Sequence, residues 1–260
     1  MRIRPPALLA FPVLLAGCGA PGPESEPRDG PGAPAPGVAA TLAPGSDRPE
    51  LLRPAESEGS PPEPAGADGE ALRIVFLGTS LTEGLGLERP GVEAWPARIG
   101  ELAESTGLAV EIVNAGLGGE TSAGLLRRLD WVMQGSPDIV VVETGANDGL
   151  RGLPVAQLEE NLGEILGRLR TGHPDVRVAV VEMEAPPNMG VDYTDAFRTV
   201  YRGATAEHGF LLLPFLLESV AGQAELNQAD GIHPTAEGHW IMARNVWPTL
   251  EELLRRPGAG

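Results

Sequence analysis

A chain of 260 residues with 36 acidic and 19 basic side chains carries a formal charge of −17, and every basic residue is Arg because no Lys occurs. That balance argues against a nucleic-acid partner, which needs a basic face to displace phosphate counterions, and against electrostatic docking on anionic lipid. Cys18 is the single cysteine, so the body of the protein has no disulfide, no cysteine-ligated metal and no thiol nucleophile.

Residues 1–17 contain Arg2 and Arg4, then an apolar stretch from Ala7 to Ala16, then small residues, the layout of a secretory signal peptide. The stretch is shorter than the roughly 20 residues a membrane span requires. Leu15-Ala16-Gly17-Cys18 resembles a bacterial lipobox, which implies cleavage before Cys18 and lipid attachment to its thiol. The alternative is an ordinary signal sequence with a buried cysteine. The lipobox reading predicts an exported protein on the periplasmic or cell-surface side, held to the membrane by acyl chains, two or more being needed for stable anchoring. Gly19, where an Asp would resemble an inner-membrane retention signal, points to outer-membrane sorting in a cell with two membranes. From Gly19 to Ala71 there are 12 Pro and 9 Gly among 53 residues with no apolar period. Such a segment buries too little surface to offset its ordering entropy, so residues 18–71 read as a lipidated, disordered tether and residues 72–260 as the folded domain.

The first predicted strand is Leu72 to Leu77, an apolar run stopped by Gly78. It leads into Gly78-Thr79-Ser80-Leu81-Thr82-Glu83-Gly84, a tight strand-to-helix turn that exposes a serine hydroxyl, as a nucleophile requires. By itself the turn also admits Ser80 as a helix cap. It lacks both the Lys-Ser/Thr ending of a phosphate loop and the dinucleotide pattern. A helix follows around Ala94 to Ser105, with Pro96 in a first turn that tolerates it, and then a strand from Val110 to Val113. Asn114 to Thr121 is a glycine-rich turn whose N–H groups either face an anion or merely turn the chain. Beyond it lie a helix from Thr121 to Gln134 and a strand from Ile139 to Val142.

After that strand, Glu143-Thr144-Gly145-Ala146-Asn147-Asp148-Gly149 sets an Asn amide on a rigid strand end, as a donor to a developing oxyanion or as part of an ordinary turn. Helices are predicted from Val155 to Arg170, behind Pro154, and from Thr194 to Glu207, with strands from Val176 to Val181 and Phe210 to Leu213. The last helix, Thr235 to Leu254, is preceded by Asp230-Gly231-Ile232-His233-Pro234. A histidine that takes a proton from serine on one ring nitrogen needs a carboxylate on the other, and the spacing through Gly231 can bring Asp230 there. His173, His208 and His239 lack that arrangement and read as structural or solvent-facing. The scattered His and acidic residues show no metal-ligand spacing, so neither a metal nor a cofactor is expected. Leu150, Leu153, Pro186, Pro187 and Met189 either line an acyl channel or serve as packing.

Alternating strands and helices predict an α/β domain, a parallel sheet covered on both faces in a three-layer α/β/α sandwich, with ligands beyond the carboxyl ends of the strands. In order, Gly78-Thr79-Ser80-Leu81, Gly119, Gly145-Ala146-Asn147-Asp148 and Asp230-Gly231-Ile232-His233-Pro234 resemble the motifs of the SGNH (GDSL-like) hydrolases, from about Leu72 to Leu253. Ala94-Trp95-Pro96, Asn147 to Gly152 and Leu211 to Phe215 strengthen the likeness to the bacterial arylesterase, lysophospholipase and acyl-CoA thioesterase I group. The resemblance implies a five-stranded, flavodoxin-like parallel sheet. It also implies Ser80 as nucleophile, His233 as base, Asp230 as its orienter, and Ser80, Gly119 and Asn147 as oxyanion donors. Thr79 departs from the pattern, because the family usually has Asp before the nucleophile. The implied activity is hydrolysis of carboxylic esters, with lysophospholipid and thioester as further substrates. The rivals are an envelope acyltransferase using the same site and a non-catalytic lipid-anchored binding module.

Overall fold

A computed structural model describes residues 71–256; the signal-peptide, lipobox and Cys18 expectations, and the tether up to residue 70, lie outside the described residues. The five apolar runs form β1 (Leu72–Gly78), β2 (Val110–Gly116), β3 (Ile139–Val142), β4 (Arg177–Val181) and β5 (Leu211–Leu213). They pair in parallel in the order β2-β1-β3-β4-β5. β3 is covered on both faces and is buried at every residue, whereas β2, at an edge, leaves Glu111 and Asn114 exposed.

The helices are α1 (Ser80–Glu83), α2 (Pro90–Glu93), α3 (Trp95–Ser105), α4 (Ser122–Val132), α5 (Ala146–Leu150), α6 (Val155–Gly172), α7 (Val191–His208) and α8 (Ala236–Arg255). α3 packs against α8, and α6 against α4 and α7, the two sets that right-handed crossovers place on opposite faces of this sheet. α1, α2 and α5 are single turns within segments that read as loops. α7 begins three residues before the predicted Thr194, because its first residue, Val191, faces solvent and breaks the apolar period.

Order in the layer beneath α3 and α8 centres on Trp95, whose buried ring meets Phe76 edge-on at 4.9 Å. Burial of each such side chain contributes about 1.5–3 kcal/mol. The Trp95 backbone N–H donates to His239 Nδ1 at 3.2 Å, so the buried His239 is neutral and carries its hydrogen on Nε2. Burial, with help from His233 and Arg98, lowers its pKa from 6.5 to about 4. The unfolded chain therefore binds a proton that the folded chain refuses between those values. Stability from this site is complete above pH 6.5 and should fall by about 3 kcal/mol as pH drops through 4. Urea unfolding at neutral pH and at pH 4 should show that loss, and His239→Gln should flatten it. An equal slope in the variant would refute the assignment.

Candidate active site

Four segments at the carboxyl edge of the sheet, grouped in three components, supply the site. β1 ends at Gly78, where a Cβ would overlap Thr82 Oγ1 and lie 2.7 Å from Glu143 Oε2, so only glycine fits. Thr79 is the extended N-cap of α1, and Ser80 is its first residue. At the start of a helix the Ser80 N–H has no intrahelical partner.

The second component is the loop before α8. Gly231 adopts φ +74° and folds the segment back, so that the Asp230 side chain caps the residues following it. Asp230 Oδ1 accepts the N–H groups of Ile232 and His233, each at 3.0 Å, and Oδ2 accepts from His233 Nδ1 at 2.7 Å. His233 Nε2 stands 3.0 Å from Ser80 Oγ. The hydrogen bond from His233, followed by those two backbone N–H groups, lowers the Asp230 pKa from 3.8 to about 2. The carboxylate is half exposed yet ionised throughout the neutral range. Gln228 ties this loop to the serine turn by donating to the Leu85 and Pro234 carbonyls at 2.8 and 3.0 Å.

The third component is a pair of turns after β2 and β3. Gly119 has φ +74°, a conformation side chains disfavour, and its carbonyl accepts from Arg151 Nη2 at 2.7 Å. Asn147, on α5, spends one amide hydrogen on the Glu120 carbonyl at 3.0 Å, leaving the other for a ligand. Among the described residues the N–H groups of Ser80 and Gly119 have no acceptor. These turns are braced from below. Arg128 pairs with the buried Glu120 at 2.6 Å and donates to the Gly78 carbonyl at 3.2 Å, while Asp148 accepts the Ser122 N–H at 2.9 Å and hydroxyl at 2.6 Å. Asn147→Ala should lower kcat for an aryl ester by about a hundredfold to a thousandfold with KM nearly unchanged, since its donor acts on charge that develops in the transition state. A kcat within threefold of the parent in steady-state assays would remove Asn147 from that role.

A cleft of about 760 Å³ opens over Ser80, Gly119, Asn147 and His233, walled by apolar residues that include Leu85, Leu150, Pro186, Pro187, Phe215 and Ile232. Of the five residues that read either as channel lining or as packing, Leu150, Pro186 and Pro187 line the cleft. Leu153 and Met189 do not: the Leu153 carbonyl accepts the Tyr193 hydroxyl at 2.8 Å, and Met189 packs over Gly152. His173 and His208 stand away from the cleft, His208 stacked on Phe210. Among the described residues no cluster of three His, Cys, Asp or Glu side chains is placed to hold a metal.

Sequence reasoning gave no role to Glu143, which is fully buried and accepts from the Thr79 N–H at 2.7 Å and from the hydroxyls of Thr79 and Thr82 at 3.0 and 2.9 Å. A carboxylate directly after the wholly apolar β3 was the signal available. Arg128, Glu120 and Asp148 carried no such mark, because helix and loop surfaces are ordinarily charged.

The GDSL-like lipase/acylhydrolase family matches residues 76–241. Esterase TesA of Pseudomonas aeruginosa is 38% identical over 185 residues, 71% of this chain and 90% of that protein. The thioesterase 1/protease 1/lysophospholipase L1 of Escherichia coli K12 is 33% identical over 182 residues, 70% of this chain and 84% of its own. Among solved structures, the psychrotrophic esterase EstA from Pseudoalteromonas, inhibited by monoethylphosphonate, superposes with a TM-score of 0.65 at 29% identity, covering 71% of this chain and 99% of EstA. With its five-stranded parallel sheet and this extent of sequence identity, the chain belongs to the GDSL-like lipase/acylhydrolase, or SGNH hydrolase, family.

Proposed function

We propose that the protein is a serine esterase that hydrolyses carboxylic esters with short to medium acyl or aryl groups through an acyl-enzyme on Ser80. One observation carries this reading: the hydrogen-bonded line from Asp230 through His233 to Ser80, with steps of 2.7 and 3.0 Å, ends in an apolar cleft. With its Nδ1–H held by Asp230, His233 has Nε2 free to accept the serine proton as Oγ bonds to the ester carbonyl carbon. The N–H groups of Ser80 and Gly119 and the free amide hydrogen of Asn147 then meet the negative oxygen. Collapse breaks the ester C–O bond, and His233 returns the proton to the departing alcohol. Water repeats the attack on the acyl carbon, its proton passing through His233 to Ser80 Oγ as the acid leaves. Asp230 remains ionised and stabilises the imidazolium in both halves.

The apolar walls favour an aliphatic or aryl acyl part, and a cleft of about 760 Å³ is in the usual range for a small-molecule site. The relatives' names, which include thioesterase and lysophospholipase, support testing those linkages as well. A nitrophenyl ester series from acetate to laurate, run beside lysophospholipid and an acylated glycan, should give free acid, with kcat/KM highest for short to medium chains. Product that requires a glycan or lipid acceptor, with little free acid, would replace hydrolysis by acyl transfer. From the lipobox-like Leu15-Ala16-Gly17-Cys18 we propose further that the enzyme is exported and held by a lipid anchor on Cys18. Retention of Cys18→Ala in the membrane fraction would count against it.

A further inference from the structure

We infer that Glu143 is a positioning residue for the nucleophile: one buried carboxyl group grips the backbone and side chains on both sides of Ser80 and sets the direction of its hydroxyl. This rests on Ser80 being the nucleophile. Glu143 Oε2 takes the Thr79 N–H at 2.7 Å and the Thr82 hydroxyl at 2.9 Å, and the Thr79 hydroxyl lies 3.0 Å from both carboxyl oxygens. The contacts therefore fall one residue before and two residues after Ser80.

The serine turn has little else of its own to hold it. α1 is four residues long, far below the length at which a helix sustains itself, and its N-cap Thr79 makes no side-chain capping bond. Thr79 directs its hydroxyl to Glu143 instead, 64 residues away. The Thr79 hydroxyl acts here as a donor, which an ionised carboxylate at this position could not do. The grip holds a carboxyl group in the core with no cationic partner among the described residues. Burial raises its pKa, and the bonds from Thr79 and Thr82 pull the other way. Burying a carboxyl group without a cation is costly, and the Thr79 N–H and the hydroxyl groups of Thr79 and Thr82 are the donors that offset that cost. Above it, Ser80 Oγ must keep its 3.0 Å approach to His233, and misplacement by about 1 Å can cost a hundredfold in rate.

The test uses the intact chain with nitrophenyl butyrate and a fluorophosphonate. Glu143→Gln should lower kcat by about ten- to fiftyfold with KM within about twofold, and slow labelling of Ser80 by the same factor. Thr79→Val should lower kcat by about tenfold, and Thr79→Ser, which restores the hydroxyl, should return it to within about twofold. The double variant Glu143→Gln/Thr79→Val should be no slower than Glu143→Gln alone by more than about twofold, because both act through one contact. A folded Glu143→Gln with parental kcat, or single effects that multiply in the double variant, would overturn the inference. Should Glu143→Gln fail to fold, the Thr79 pair decides: equal activity of the Val and Ser variants would overturn it. Ser80→Ala run alongside separates the two claims, since turnover by that variant would reject the nucleophile itself.

Discussion

Ser80→Ala should lower kcat for nitrophenyl butyrate by about a millionfold and shift Tm by no more than a few degrees. The loss follows from the chemistry, since no other hydroxyl stands 3.0 Å from His233 Nε2 among the described residues. Stability is spared because the Ser80 side chain makes no bond beyond the one to His233, and Ala is a better helix former at the start of α1. His233→Ala should cost about as much, and the two together little more, since both serve one proton transfer. Circular dichroism and steady-state kinetics on the same preparations check this. Activity within a hundredfold of the parent in folded Ser80→Ala would end the serine mechanism.

Asp230→Asn should lower kcat by about ten thousandfold, by a different route. The amide oxygen can still accept the N–H groups of Ile232 and His233, so the loop keeps its shape. Its NH2, however, now faces His233 Nδ1, which must become the acceptor. The ring hydrogen moves to Nε2, and Nε2 can no longer take the proton from Ser80. Asp230 also sets a pH expectation. Its pKa falls from 3.8 unfolded to about 2 folded, so its contribution to stability is present above pH 3.8 and is lost as pH falls through 2. It is half exposed, and solvent screening keeps that contribution small. Asp230→Asn should therefore leave unfolding at neutral pH close to the parent while removing activity. A variant that loses stability and activity in proportion would make Asp230 a structural residue.

The strands were legible because each is a short apolar run closed by Gly, Pro or a polar residue, and a parallel sheet buries its central strands on both faces. Asp230 and His233 were legible for a local reason, since three positions and one glycine bring the carboxylate to the ring. Ser80 and Asn147 were legible as polar groups just past strands, where an open α/β sheet binds ligands, and their roles came from the resemblance of the joint motifs to the SGNH hydrolases. The bracing was not. Glu143 reaches Thr79 across 64 residues, and Arg128 reaches Gly78 across 50, and no periodicity reports such pairings. For Leu153 and Met189 the packing reading holds and the channel reading does not, a choice the sequence left open because proximity to Asn147 and Pro187 does not say which way a loop side chain turns. The single-turn helices α1 and α5 escaped because four or five residues offer no period, and tertiary contacts rather than propensity hold them.

The most direct test of the account is to quench the enzyme during turnover of a nitrophenyl ester and locate any covalent acyl group by peptide mass spectrometry. The account predicts one acyl group on Ser80, decaying in water at the rate of turnover and absent from Ser80→Ala. An acyl group on another residue, or undiminished turnover with no covalent species trapped by the quench, would contradict it.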